Sequence, residues 1–205
     1  MAITYPLPWP ALPVSEINLV MVTTSALSES PFTGHQQVHE WPRQYWRADI
    51  TLPKMRRAKA EAWFCFLASL RGRAGTFLMP PAVGHVPRGS LSVPPLVDGA
   101  GQSGLVLNVR GLPVSSQWLL LHGDYLQLGS GAGARLHKVL YDVHSDATGR
   151  AGLEIWPPLR SAPADGATII IDNPVGRFRL LSNENAIAWS SPQRASIGFG
   201  VVEAL

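Results

Sequence analysis

Trp46–Pro81 reads WRADITLPKMRRAKAEAWFCFLASLRGRAGTFLMPP, and this stretch decides the fold. Trp46, Ala48, Ile50 and Leu52 alternate with Arg47, Asp49 and Thr51, the period of a half-buried strand. Pro53 can open a helix, because its missing N–H would be unpaired there anyway. Arg56 to Leu70 holds strong helix formers and neither Gly nor Pro, so a helix is expected over about 54–71. Gly72 and Gly75 bracket its exit, and Phe77-Leu78-Met79 starts a new extended run closed by Pro80-Pro81. The rest of the chain is written in short β-runs. The fold class expected is mainly β: a split β-sandwich with one helix, plus a small inserted β-barrel of OB type.

Of the 205 residues, 46% are hydrophobic and only 15% charged, against roughly 25% charged in ordinary soluble domains. A large core or a permanent oligomer would accommodate that apolar surface. The formal net charge is +3, and the densest basic cluster is Lys54, Arg56, Arg57 and Lys59, followed by Arg71 and Arg73. Those cations precede or begin the helix, where the dipole disfavours them, so they are either solvated or turned toward an anionic partner. Cys65 is the single cysteine, set in WFCFLASL, and reads as a core thiol. The N-terminus MAITYPLPWPALP lacks the basic start and apolar run of a signal peptide, and no run approaches a membrane span. The expectation is synthesis in a cytoplasm without membrane insertion.

Pro6, Pro8, Pro10 and Pro13 make the first residues an extended arm. Its Tyr5, Leu7 and Trp9 pack either along the arm's own domain or on a neighbouring subunit. Strands are expected at Ile17–Thr24, His35–Trp41 and Gln44–Leu52, the last two joined by a tight Pro42-Arg43 connection. Pro80 to Ser103 has linker composition. Beyond it, strands are expected at 105–110, 118–122, 125–128, 136–143, 153–156 and 168–172, at the spacing of a small barrel or sandwich. The chain closes with strands at 176–181, 186–190 and 194–203. There Ile197, Phe199 and Val201 share a face, opposite Gly198 and Gly200, which signal close approach of another layer. The economical division is discontinuous: residues 1–82 with 173–205 form one domain, and 83–172 form a barrel inserted in it.

Catalytic chemistry is hard to find. His35 and His39 in HQQVHE would lie about 13 Å apart on a strand, too far to share a metal. The glycine run 129–133 has neither the Lys-Ser/Thr nor the helix of a phosphate loop. Asp124, Asp142 and Asp146 sit in or beside turns, where Asp bonds backbone. No GxSxG elbow is present. No catalytic residue, cofactor or metal site is expected. The seven tryptophans read as core and interface anchors; Trp118 and Trp156 are the candidates for contact with a glycan.

The stretch SPFTGHQQVHEWPRQYWRADITLPKMRRAKAEAWFCFLASLRGRAGTFLMPP (30–81) is similar to the N-terminal part of siphophage tail-tip proteins. GDYLQLG (123–129) with LHKVLYDVHSDATGRAGLEIWPPLR (136–160) resembles a β module of the same phage proteins. Chain length, lone helix, inserted barrel and returning C-terminal strands together resemble the distal tail protein family. That resemblance implies a virion structural protein forming a homo-oligomeric, hexameric ring between the tail tube and the tip or baseplate. Its implied partners are other copies of itself, the tail tube protein and the tail hub or tip proteins, with DNA only as cargo passing the lumen. Tyr5, Leu7, Trp9, Phe199 and Val201 are the subunit-interface candidates. The alternatives are a carbohydrate- or receptor-binding tail-tip module and another tail or head-completion connector.

Overall fold

A computed structural model describes residues 3–190 and 194–205. The fold is mainly β, with curled sheets that include a half-barrel. In chain order the elements are β1 (Glu16–Glu29), β2 (Gln36–Thr51), β3 (Met55–Arg56), α1 (Arg57–Ser69), β4 (Phe77–Met79), β5 (Leu96–Val97) and β6 (Gly104–Arg110). Then come β7 (Tyr125–Leu128), β8 (Arg135–Val139), β9 (Arg150–Leu159), β10 (Gly176–Leu180), β11 (Ile187–Ser190) and β12 (Arg194–Glu203). One sheet runs β1-β2-β12-β10-β4, with β3 and β11 also paired to β12; the other runs β5-β6-β9-β8-β7.

Strand β12 is the spine of the first sheet. Its C-terminal half lies between β2, at Val201↔Ala48, and β10, at Val201↔Leu180. Its N-terminal half lies between β11 and β3. The alternation in the sequence is realised here: Trp46, Ala48, Ile50 and Leu52 are buried, and so are Ile197, Phe199 and Val201. Helix α1 covers that inner face. Ala60, Trp63 and Leu67 are its buried residues, spaced by three and four as one helical stripe requires. Trp63 reaches Phe199 with ring centroids 5.9 Å apart.

The helix begins later than the sequence implied. Met55-Arg56 first add a short strand to β12, and Arg56 then serves as an N-cap with no side-chain hydrogen bond. The expectation for Cys65 fails outright. It is exposed, and Phe64 beside it is 41% exposed. Two positions beyond Trp63 a residue has turned about 200° around the helix, so a one-sided helix must point it outward. WFCFLASL is therefore half core and half surface.

The second sheet encloses its own cluster, including Leu107, Val109, Leu126, Leu153, Ile155 and Ile169. Tyr125, Leu136 and Trp156 belong instead to the core of the first sheet. Trp46 is the tie: its indole N–H donates to the Leu136 carbonyl at 2.9 Å, and its ring meets Trp156 edge-on at 4.4 Å. Two strands expected from sequence, 118–122 and 168–172, are instead loops: the second is bridged to the sheet at Leu96↔Thr168 and Gln127↔Ile170, and the first to another loop at Leu120↔Val143.

Candidate assembly surface

The β1–β2 hairpin is an exposed apolar feature of the fold. His35–Trp41 and Gln44–Leu52 were expected as separate strands turning at Pro42-Arg43; they form one 16-residue strand. The register with β1 slips between Thr23↔Gln44 and Ser25↔Glu40. Trp41, Pro42 and Arg43 thus stand opposite the single Thr24, a bulge that accommodates a proline unable to donate to the ladder. The real turn is Ser30–His35, closed by the Ser30 N–H on the His35 carbonyl at 2.9 Å.

Beyond the bulge the two strands leave the body of the protein. From Ser25 to Glu29 and from Pro31 to Arg43 every residue is exposed. The projecting part is roughly 20 Å long at ~3.3 Å per residue. It is not a polar arm: Leu27 (60% exposed) pairs across from Val38 (62%), Phe32 at the tip is 94% exposed, and Trp41 is 51% exposed. A two-stranded ribbon is marginally stable alone in water, and β1 also presents a free edge. Its exposed apolar residues make the ribbon the candidate assembly surface.

The proposed interface residues of the N-terminal arm and the last strand lie elsewhere. Leu7 forms a parallel bridge with Phe77, its N–H donating to the Thr76 carbonyl at 2.9 Å and its carbonyl accepting the Leu78 N–H at 2.8 Å. Trp9 stacks on Phe77 at 5.7 Å and meets Trp63 edge-on at 5.3 Å. The Tyr5 hydroxyl donates to the Ser69 carbonyl at 2.6 Å. Of the two sequence readings, the arm takes the first and packs on its own chain. Within the chain Tyr5, Leu7 and Trp9 are half-buried at the edge of the core, and Phe199 and Val201 are buried in the same core cluster. Alternation along β12 gave the buried face but not the element covering it.

The two glycan candidates also separate. Trp156 is buried against Trp46 and offers no platform, a correction forced by the junction between the sheets. Trp118 is 53% exposed, with φ of 59°, a backbone conformation costly for a bulky side chain. Its N–H donates to His144 Nδ1 at 3.1 Å and the two rings meet edge-on at 4.9 Å. Beside them the Asp142 carboxyl lies below its usual range, because it accepts first the backbone N–H and then the ring of His122.

A cavity of about 280 Å³ lies where the sheets meet, lined by Arg135, His137, Pro157, Arg160 and Glu203 among others. Its polar groups are largely occupied by structure. The Glu203 carboxylate accepts the Trp46 N–H at 3.2 Å and an Arg160 N–H at 3.2 Å. His137 Nδ1 lies 2.7 Å from the Pro157 carbonyl, the geometry of a neutral ring donating there. Burial pushes the His137 pKa down to about 4, the Pro157 bond opposing, with Arg160 and Arg135 adding to the fall. Burial, then the neighbouring Arg177, likewise disfavours the charged form of Arg135. This junction has no local signature in the sequence, since its members come from strands far apart in the chain.

The turn acids bond backbone: Asp146 Oδ1 accepts the N–H groups of Thr148 at 2.7 Å and Arg150 at 2.9 Å. Among the described residues no three His, Cys, Asp or Glu side chains gather as a metal site, and no helix is long and apolar enough to cross a membrane. No protein-family model matches the chain, and no curated protein matches it.

Proposed function

We propose that this chain is a structural subunit of a long non-contractile phage tail, a ring protein that joins the tail tube to the tail tip. The ring contains six copies, and the tube and tip proteins are its axial partners. One observation carries the reading on the structural side: the hairpin that projects beyond its own core with Leu27, Phe32, Val38 and Trp41 exposed. A chain that solved its packing alone would not hold such a ribbon in water, whereas a neighbouring copy would bury it. The low charged fraction and the sequence resemblance over residues 30–81 and 123–160 support the same assignment. Immunogold labelling of intact particles with antibody to this chain tests it. Gold at the tail end supports the assignment; gold confined to the capsid, or absent from particles, refutes it.

A second reading is favoured by one feature, the exposed Trp118 held in a left-handed backbone conformation beside His144. In that reading the same subunit also contacts a glycan of the host surface with the Trp118 ring. Glycan-array binding abolished by Trp118→Ala supports it, and binding that survives removes Trp118 from any such role.

A further inference from the structure

The groove that could receive the hairpin lies at the opposite end of β2. Its floor and walls are apolar, from Pro13, Pro53, Met55 and Ala58. Its rim is cationic, with Lys54, Arg56, Lys59 and Arg194, all exposed. Among the described residues none of these four cations lies within ion-pair distance of a carboxylate, whereas Arg57 beside them is paired with Glu61. The cations that the sequence left unassigned therefore border a concave apolar surface.

The hairpin is the complement of that groove in both respects. Over its projecting part, Ser25–Arg43, it carries Glu29 and Glu40 against a single cation, Arg43 at the bulge, so it is net acidic with His neutral, and no Lys or Arg lies between Ser25 and Pro42. Its apolar residues are the exposed set already named. The two surfaces cannot meet within one chain. The paired strand β1 runs from Glu29, opposite Gln36, to Glu16, opposite Thr51, which at ~3.3 Å per residue puts tip and groove at opposite ends of a ribbon of about 40 Å.

Resting on the ring reading above, we infer that the β1–β2 hairpin of one copy docks in the Pro13–Pro53–Met55 groove of the next. Glu29 and Glu40 face the Lys54, Arg56, Lys59 and Arg194 rim, and Phe32 enters the apolar floor. Hairpin and groove are different surfaces of one chain, so the contact is head-to-tail, the type that closes into a ring when its rotation is commensurate. Electrostatic complementarity of this kind sets register and orientation, and mismatched charge penalises the wrong partner.

Charge reversal in the full chain tests the contact. Glu29→Lys with Glu40→Lys, or Lys59→Glu with Arg194→Glu, should reduce the mass seen by light scattering from that of the assembly to the 22.2 kDa monomer. Combining all four changes should restore assembly. A far-ultraviolet circular dichroism spectrum equal to that of the wild type shows that each variant folds. Independently, Thr33→Cys with Lys59→Cys, in a Cys65→Ser background, should give a disulfide-linked ladder on mild oxidation, and neither cysteine alone should give one. An assembly that survives both reversals, or one that yields no ladder, overturns this contact while leaving the ring standing. A wild-type chain that is monomeric at all concentrations overturns the ring and the contact together.

Discussion

The junction between the sheets makes a pH-dependent demand that can be worked out from His137. The imidazole is buried and neutral, donating from Nδ1 to the Pro157 carbonyl, with Arg135 and Arg160 as the cations and Glu203 as the carboxylate around the same cavity. Unfolding releases the ring to water, where its pKa returns from about 4 to 6.5. Between those values the unfolded chain binds a proton that the folded chain refuses, so stability falls as pH falls, by ~1.4 kcal/mol per unit. Almost nothing is lost at pH 7, and about 2 kcal/mol is lost by pH 5, a large share of a typical domain's stability. His137→Gln keeps a donor for Pro157 but does not titrate. The variant should be less stable than the wild type at pH 7 by about 1 kcal/mol. The gap should close and reverse by pH 5, the histidine chain having lost about 2 kcal/mol relative to the variant. Urea unfolding followed by tryptophan fluorescence at both pH values reads this double difference, in which other titrating groups cancel. An unchanged gap between pH 7 and pH 5 would refute the burial of a neutral His137.

Three further outcomes follow from the packing. Trp46→Ala removes the indole that ties the sheets and should cost about 3–5 kcal/mol, seen as a lower urea midpoint. Gly89→Ala would place a Cβ 2.1 Å from the Leu119 carbonyl oxygen and should cost at least about 1–3 kcal/mol; Gly198→Ala meets nothing nearer than 3.6 Å and should leave the melting temperature nearly unchanged. Cys65, exposed on the outer face of α1, should react fully with a thiol reagent in the folded protein, in a colorimetric assay without denaturant.

Periodicity made the inner faces of β2 and β12 legible, because a strand buried on one side must alternate. It could not show what covers those faces within the chain: Trp63 of α1 lies over Phe199, and the arm, which the sequence left between its own domain and a neighbour, packs on Phe77 and Trp63. Pro42 read as a turn because proline usually ends a ladder; a bulge opposite Thr24 accommodates it, and the hairpin runs twice as far as expected. Cys65 was misplaced because an apolar run on a helix does not by itself distinguish a helix buried all round from one buried on a single stripe. Gly198 and Gly200 drew attention as close-approach glycines, yet the tightest backbone contact is at Gly89, in a loop whose partner segment lies 30 residues on. The junction of His137, Arg160 and Glu203 had no local signature, being made only when β2, β8, β9 and β12 meet. Both halves of the proposed contact were visible only as fragments: a basic cluster without a role, and short strands at 17–24 and 35–41 whose pairing into one long hairpin was not foreseen.

The mass of the native assembly tests the central claim most directly, measured by native mass spectrometry on the wild type. Alongside it goes a chain whose residues 24–43 are replaced by an Asn-Gly turn linking Thr23 to Gln44. Six copies of the 22.2 kDa chain, about 133 kDa, are expected for the wild type, with the shortened chain folded but monomeric. A monomeric wild type, or an assembly of unchanged mass without its hairpin, would contradict the account.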